Sequence, residues 1–268
     1  MALFTTVDHA ADPRVDDFRD LTAADRRPDR PGGRGLVIAE GVVVVRRLLA
    51  SPFPVRSLLG VPRRLAELAD DLAELDVPAY ATDPNTMADI VGFHLNRGVL
   101  AVADRAPSPS VSALAAEAHV LAVLEAVNDH ENLGSLFRNA AALGVGAVLL
   151  GPRCADPLYR RSVRVSMGHV LRVPFATLPG AWPASLAALD GHTIVALTPS
   201  ADAIPLAEAG LAGRRVALLL GAEGPGLTEE AQRAAHLRVR IPMRSGVDSL
   251  NVATAAAVVF HAVVAPVG

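Results

Sequence analysis

Polar side chains gather where an apolar segment gives way to a predicted helix in the middle of the chain. The segment HVLAVLEAV (119–127) predicts a buried strand, and NDHENLGSLFRNA (128–140) follows it. In open α/β sheets, ligands bind at the carboxyl ends of strands. Asn132 and Arg138 lie less than two helical turns apart, and they converge there if Asn132 precedes the helix. The alternative is a polar helix N-terminus followed by a surface arginine.

A glycine-rich loop follows a second apolar segment, in LLLGAEGPGL (218–227). It places one carboxylate, Glu223, among Gly221, Gly224 and Gly226. Glycines permit positive φ angles and let a backbone approach a ligand closely. The spacing matches neither the Walker loop nor the dinucleotide-binding fingerprint. Taken alone, the loop is better explained as a plain tight turn.

A third polar corner precedes the last helix, in IPMRSGVDSLNVATAAA (241–257). Its apolar residues Ile241, Met243 and Leu250, beside polar Ser249 and Asn251, suit a flat and partly polar ligand. Ser249 can instead cap a packed helix. Three such corners in one region are harder to explain as ordinary turns than any one of them.

A parallel sheet is needed to bring the three corners together. We predict one α/β domain over 113–268, because continuous apolar strands are typical of a parallel sheet covered on both faces. Its predicted strands are 119–127, 146–150, 171–175, 192–198, 214–221 and 237–243. Its predicted helices are 134–144, 183–191, 228–235 and 249–264.

A smaller α/β domain is predicted over 35–105, where apolar strands again alternate with helices. Its predicted strands are 36–40, 55–61, 78–82 and 98–105, and its predicted helices are 41–51, 63–75 and 84–92. The segment APSPSVS (106–112) is the predicted linker. Residues 1–34 are predicted to be an extension with a short helix near 15–23.

Composition excludes several classes of protein. The 268 residues are 51% hydrophobic with a formal net charge of −3, which is too apolar for a disordered chain. The sequence contains neither an apolar run long enough for a membrane span nor a secretory signal. Its single cysteine, Cys154, predicts no internal disulfide and fits the reducing cytoplasm. The slightly acidic total gives no global sign of nucleic-acid binding.

In their order and spacing, NLGSLFRNA, LLLGAEGPGL and IPMRSGVDSLNVA resemble the three signature motifs of the SpoU/TrmH branch of the SPOUT RNA methyltransferases. The resemblance spans residues 119–264. The segment 36–105 is similar to the α/β/α domain that often precedes it, which resembles ribosomal proteins that bind kinked RNA. One departure is the pair Asp129-His130, where the family often has proline.

The resemblance implies a C-terminal domain with a parallel sheet and a deep trefoil knot, whose pocket binds S-adenosyl-L-methionine. It also implies methyl transfer to a ribose 2′-hydroxyl of tRNA or rRNA, by a homodimer formed through the methyltransferase domain, with neither DNA nor a membrane as partner. The catalytic residues that it implies are Asn132, Arg138, Glu223, Ser249 and Asn251. The cofactor-binding residues are Leu197, Thr198, Gly221, Glu223, Gly226, Ile241, Pro242, Met243, Ser249, Leu250 and Asn251.

Methyl transfer of this kind requires the acceptor hydroxyl to be positioned and its proton to be removed. Arg138 matches the motif arginine, although a guanidinium holds its proton tightly. It either loses a proton transiently beside a phosphate or stays charged and stabilises the developing alkoxide. His130 is the less favoured alternative base. We expect no metal site, because the histidines and Cys154 lack ligand spacing.

RNA binding requires cations, and residues 153–172 hold five arginines against one acid, Asp156. Because guanidinium groups bind phosphates in a bidentate manner, this segment predicts a phosphate-facing strip. Its predicted RNA-binding residues are Arg153, Arg160, Arg161 and Arg164. Aspartates balance the charge of a second arginine cluster, which comprises Arg26, Arg27, Arg30 and Arg34. The pair Arg63 and Arg64 is predicted to lie on an ordinary helix surface.

Two other functions were weighed against methyl transfer. A non-catalytic RNA-binding or ribosome-assembly factor would retain the fold, but the intact motif residues argue against it. A nucleotide-dependent dehydrogenase is disfavoured, because neither domain has the GxGxxG fingerprint after its first strand.

Overall fold

The computed structural model describes residues 4–19, 21, 35–73 and 75–264. Its strands are β1 (Thr5–Thr6), β2 (Val37–Glu40), β3 (Val55–Gly60), β4 (Ala79–Ala81), β5 (Val99–Ala103), β6 (Val120–Glu125), β7 (Ala147–Leu150), β8 (Phe175–Thr177), β9 (Thr193–Leu197), β10 (Ile204–Pro205), β11 (Val216–Gly221) and β12 (Leu237–Arg240).

The α-helices are α1 (Val42–Leu49), α2 (Pro62–Ala66), α3 (Ala69–Leu72), α4 (Pro84–Val91), α5 (Val111–Glu117), α6 (His130–Leu143), α7 (Arg160–Val165), α8 (Glu229–Ala234) and α9 (Val252–Val263). Short 3-10 helices cover Pro13–Phe18, His169–Leu171, Ala184–Leu189 and Leu206–Glu208.

The chain divides into two compact units. The first contains the residues up to 107 together with 156–172, and the second contains 108–155 and the residues from 173 onward. The sequence had placed 156–172 in the C-terminal domain, but this segment packs within the first unit. There, Arg105 Nη1 donates to Asp156 Oδ1 at 3.2 Å, and the guanidinium of Arg47 donates to the carbonyl of Met167.

The first unit is built on a mixed sheet of five strands, in the order β1-β4-β3-β5-β2. Strand β5 runs antiparallel to both β2 and β3, whereas β4 runs parallel to β3 and β1. All residues of β2 and β5 are buried, including the charged Glu40 at the end of β2. A core that includes Phe18, Ile38 and Met87 forms against the sheet.

Two predicted helices of the first unit are wrong in detail. The helix predicted over 63–75 is two short helices, α2 and α3, because Leu68 between them has non-helical φ and ψ angles of −106° and 4°. In place of the helix predicted near 15–23, the structure has the 3-10 helix Pro13–Phe18, and residues 20, 22 and 23 of the prediction lie outside the described part of the chain. Arg26, Arg27, Arg30 and Arg34 also lie outside it.

The second unit is built on a parallel sheet of seven strands, in the order β10-β12-β9-β11-β6-β7-β8. Every residue of β6 is buried, and in β11 only the terminal Gly221 is not. The predicted α/β fold with a parallel sheet is therefore confirmed. Because all seven strands run the same way, their carboxyl ends lie along one edge.

A side chain caps the N-terminus of each of the helices α6 and α9. Asp129 Oδ1 accepts from the backbone N–H groups of Glu131 and Asn132, at 2.9 and 2.8 Å. Because this cap fixes the start of α6, the helix begins four residues before the predicted 134–144 and Asn132 lies within its first turn. Asn251 caps α9, so Ser249 and Leu250 precede that helix.

Three further predictions for the second unit need correction. Helix α5 begins at Val111, inside the predicted 106–112 linker, because Ser110 Oγ accepts from the N–H of Ala113 at 3.2 Å. The strand predicted over 171–175 is displaced to β8, which begins at Phe175. The helix predicted over 183–191 is a 3-10 helix.

Candidate active site

A cavity of about 360 Å³ opens at the carboxyl ends of β9, β11 and β12. Leu197 and Gly221 are the last residues of β9 and β11, and Ile241 follows β12 directly. The wall is formed by these strand ends and by the loops after β11 and β12. It comprises Leu197, Thr198, Pro199, Leu220, Gly221, Ala222, Glu223, Gly224, Gly226, Ile241, Met243, Ser249, Leu250, Asn251, Val252 and Ala255.

The cavity gathers residues of the second and third polar corners of the sequence. Of the eleven residues predicted to bind a cofactor, only Pro242 is absent from the wall. Sequence reasoning missed six wall residues, which are Pro199, Leu220, Ala222, Gly224, Val252 and Ala255. All but Ala255 directly neighbour predicted residues and could have been found by extending the predicted segments. The structure thus brings these two corners together around one cavity, and ligand binding there stays a prediction.

Asn251 joins all three corners through one side chain. Its Oδ1 accepts from the N–H groups of Ala253 and Thr254 at 3.0 and 3.1 Å, which caps α9. Its Nδ2 donates to Asn132 Oδ1 at 2.7 Å and to Glu223 Oε1 at 2.6 Å. Both ends of the amide are therefore used, and the cap fixes which end faces the Glu223 carboxylate.

Gly221 lets the glycine loop fold back on its own strand. A Cβ at this position would stand 2.2 Å from the carbonyl carbon of Gly226 and 2.3 Å from the nitrogen of Leu227. Both atoms belong to the backbone, so they cannot move aside as a flexible side chain would. The glycine at position 221 therefore allows the backbone of the strand end to contact the backbone of the loop, and this contact sets the shape of the cavity wall.

We expect Gly221→Ala to destabilise the protein by about 1–3 kcal/mol, because the added methyl group overpacks the loop. The loop backbone must move to admit this methyl group, and that movement deforms the cavity. Thermal denaturation and calorimetric titration with a cavity ligand measure the two effects. A variant with wild-type melting temperature and affinity would contradict the backbone contact.

Arg138 does not line the cavity, although the sequence placed it in the catalytic set. It is exposed on α6, and it follows Asn132 by six residues of the same helix. At 3.6 residues per turn, the two side chains leave the helix about 120° apart. Within the described chain, Arg138 therefore projects away from the Asn132–Asn251–Glu223 hydrogen bonds.

Two further side chains could in principle carry chemistry, His130 by proton transfer and Cys154 as a nucleophile. His130 is the first residue of α6 and is half-buried, two residues before Asn132. Burial raises the pKa of the Cys154 thiol, and Cys154 Sγ donates to the carbonyl of Leu124 at 3.3 Å. A protonated, partly buried thiol is a poor nucleophile, so Cys154 is assigned no chemical role.

The predicted arginine strip is divided between the units. Arg160, Arg161 and Arg164 lie on α7 in the first unit, whereas Arg153 belongs to the second. The Arg160 side chain is only 19% exposed; its Nη1 lies 3.6 Å from Glu40 Oε2 and its guanidinium lies 4.8 Å from the ring centre of Phe93.

These contacts give Arg160 a packing role. Arg153, Arg161 and Arg164 are exposed. Arg161 and Arg164 are three residues apart on α7, so they share one face of that helix. Arg63 and Arg64 lie beside Glu67 on the surface of α2, as predicted.

The described residues form neither a membrane-spanning helix nor a cluster of metal ligands. No helix in the described ranges is both long and apolar enough to cross a membrane. Across the same ranges, no three His, Cys, Asp or Glu side chains lie together in a way that would hold a metal ion.

Known proteins resemble this chain both in sequence and in structure. A family model described as the SpoU rRNA methylase family matches residues 119–261. An uncharacterized tRNA/rRNA methyltransferase of Mycobacterium tuberculosis is 59% identical over 254 residues, which cover 93% of this chain and 88% of the relative. A 23S rRNA (adenosine(1067)-2′-O)-methyltransferase of Streptomyces azureus is 26% identical, over 97% of this chain and 96% of the relative.

Among solved structures, the AdoMet-bound rRNA methyltransferase from Sinorhizobium meliloti matches with a TM-score of 0.79. The match covers 97% of both chains at 24% sequence identity. At that identity, the likeness speaks for the fold alone.

Proposed function

The chain belongs to the SpoU rRNA methylase family, and from that premise we propose that it transfers a methyl group from S-adenosyl-L-methionine to a ribose 2′-hydroxyl of tRNA or rRNA. The observation that carries the proposal is the hydrogen bonding of Asn251 to Asn132 and Glu223 beside the cavity. The 2′-O specificity of the relative from Streptomyces azureus supports the acceptor group. Since tRNA and ribosomes work in the cytoplasm, we place the activity there.

The cavity suits S-adenosyl-L-methionine in size and chemistry. Leu197, Leu220, Ile241 and Leu250 offer apolar surface for an adenine ring, and backbone groups beyond the strand ends offer hydrogen bonds to its edge. The carboxylate of Glu223 suits a ligand that carries a positive charge. When bound, this cofactor supplies a methyl group already activated on a sulfonium.

The protein's own residues must then position the acceptor and manage its proton. We assign Asn132 and Ser249 to orienting polar groups of the bound molecules, and Arg138 to the ribose hydroxyl. A guanidinium that remains charged stabilises the developing alkoxide without having to act as a base. His130 is the alternative proton acceptor, two residues from Asn132.

We further propose that the chain works as a homodimer through the methyltransferase domain. Large apolar side chains on the second unit support this, since Val247 and Val258 are 51% and 39% exposed and line no part of the cavity. The exposed Arg138 supports it too, because a site at a subunit interface gives this arginine a route to an acceptor bound beside the cavity of the other copy.

We also propose that the C-terminal segment forms the trefoil knot of the family. The loop after β12 meets the loop after β11 through the hydrogen bond from Asn251 to Glu223. Helix α9 then continues onto α6, where Asn139 Nδ2 donates to the carbonyl of Ala253 at 2.8 Å. These contacts bring the last segment of the chain against the loop through which a trefoil knot would thread it.

RNA binding is assigned to the exposed arginines, with Arg161 and Arg164 as the pair to test. We expect Arg161→Glu with Arg164→Glu to weaken RNA binding and to lower the slope of log affinity against log salt by about 1.5–2, through the loss of two phosphate contacts. Filter binding over a range of salt concentrations measures this. Arg160 is left intact, since its contact with Glu40 would turn a reversal into a folding defect.

The matched control reverses two exposed arginines outside α7, in Arg63→Glu with Arg233→Glu. The side chains of Arg63 and Arg233 are 81% and 69% exposed. Equal salt slopes for the two double variants would remove α7 from the RNA interface, because the total charge change is the same.

The proposed activity is tested by incubating the protein with tritiated S-adenosyl-L-methionine and unmodified rRNA or tRNA. A 2′-O-methyl group blocks alkaline cleavage of the adjacent phosphodiester, so we expect the label in alkali-resistant dinucleotides. Label in mononucleotides would indicate base methylation. RNA binding without incorporation would instead favour a non-catalytic assembly factor that retains the fold.

A further inference from the structure

Glu125 is a buried carboxylate to which none of the functional assignments above gives a role. It ends β6 and is only 1% exposed. Its Oε1 accepts from Trp182 Nε1 at 2.7 Å and from Thr228 Oγ1 at 2.8 Å, and its Oε2 accepts from the N–H of Thr228 at 2.9 Å. Three donors offset the cost of burying this group.

Both ends of the glycine loop lie against Glu125. Gly221, where the loop begins, is the register partner of Glu125 between β11 and β6. Thr228, where the loop ends, donates two of the three hydrogen bonds and also caps α8. The carboxylate therefore closes the base of the loop.

The loop between these ends has little packing of its own. Residues 222–226 are Ala, Glu, Gly, Pro and Gly, and of the loop side chains only Leu227 is buried. One hydrogen bond crosses the loop, from the N–H of Gly226 to the carbonyl of Ala222 at 3.0 Å. Small residues leave the backbone free to move, so the position of Glu223 depends on how the loop base is held.

We propose that Glu125 is a positioning residue that fixes the 221–228 loop, so that Glu223 meets Asn251 and the cavity wall keeps its shape. Glu125 does not touch the cavity and acts through Thr228 and Gly221. The effect on ligand affinity rests on the proposed function, whereas the effect on the loop itself does not.

The experiment compares Thr228→Val with Thr228→Ser and Trp182→Phe. Valine removes the hydroxyl that donates to Glu125, whereas serine keeps it. Phenylalanine removes one hydrogen bond from the same carboxylate without altering the loop. Hydrogen exchange of the Gly226 and Thr228 amides is measured in the ligand-free protein, and affinity for S-adenosylhomocysteine is measured by calorimetry.

We expect Thr228→Val to speed exchange at both amides and to raise the Kd on the order of tenfold, the equivalent of one hydrogen bond to a charged group. The Kd of the Thr228→Ser and Trp182→Phe variants should stay within about twofold of wild type, because both variants keep the two hydrogen bonds from residue 228 to Glu125. Faster exchange confined to α8, with the loop amides and the Kd unchanged, would show that Thr228 only caps that helix and would overturn the proposal. If the wild-type protein fails to bind S-adenosylhomocysteine, the proposed function fails, and the loop amides alone decide the role of Glu125.

Discussion

Arg138→Ala is expected to slow methyl transfer by about 100- to 1,000-fold while leaving the affinity for S-adenosylhomocysteine within a few-fold of wild type. Arg138 does not line the cavity, so its removal takes nothing from the cofactor-binding wall. It is exposed, so truncation leaves no buried group without a partner and folding should be unaffected. Removing a single group that stabilises a developing oxyanion costs about 100- to 1,000-fold in rate. Tritium incorporation and calorimetry measure the two quantities.

Arg138→Lys separates the two roles open to the guanidinium. A lysine keeps the positive charge but lacks the planar fork, so stabilisation of an alkoxide should survive in part. A large loss of cofactor affinity in Arg138→Ala would contradict the assignment to the acceptor. Full activity in Arg138→Ala would show that another group handles the proton, and His130 would be the next residue to test.

Asn251→Asp is expected to lower cofactor affinity and turnover, by on the order of 100-fold, through charge repulsion. Aspartate caps a helix as well as asparagine does, so α9 should remain intact. The substitution replaces the Nδ2 donor with a second carboxylate oxygen where Glu223 Oε1 now lies 2.6 Å away. Circular dichroism, calorimetry and the methyl-transfer assay together distinguish a loss of site geometry from a loss of fold.

The control for this repulsion is Glu223→Gln in the Asn251→Asp background. Neutralising one of the two carboxylates should restore part of the lost affinity, and a double-mutant cycle gives the coupling. Asn251→Ser keeps the cap and adds no charge, so it should fall between wild type and Asn251→Asp. Near-wild-type affinity in Asn251→Asp, or no recovery in the double variant, would show that the contact seen here does not shape the site.

The sheet of the second unit and its polar edge were predictable, because buried parallel strands have continuous apolar sequences. Strands β6 and β11 follow this rule, and the loops after β11 and β12, which are two of the three polar corners, meet at the cavity. The start of α6 was not predictable from apolar periodicity, since it is set by the Asp129 cap on residues that look like a polar loop. That cap also explains why Asn132 and Arg138 do not converge within one chain.

The long-range pairings were beyond sequence reasoning. Helix α7 belongs to the first unit although its sequence lies inside the predicted second domain, because the contacts of Arg160 with Glu40 and Phe93 join residues far apart in the chain. Glu125 was hidden inside an apolar strand, and only the structure reveals its bonds to Trp182 and Thr228. A run of arginines likewise does not tell which of them are exposed and which are packed.

The central claim is tested most directly by mapping 2′-O-methyl groups at single-nucleotide resolution in total RNA from a deletion strain, its parent, and the deletion strain carrying either the wild-type chain or Arg138→Ala. We predict that one or a few ribose methylations in tRNA or rRNA disappear on deletion, return with the wild-type chain and stay absent with Arg138→Ala. An unchanged 2′-O-methyl map in the deletion strain, or full restoration by Arg138→Ala, would contradict the account.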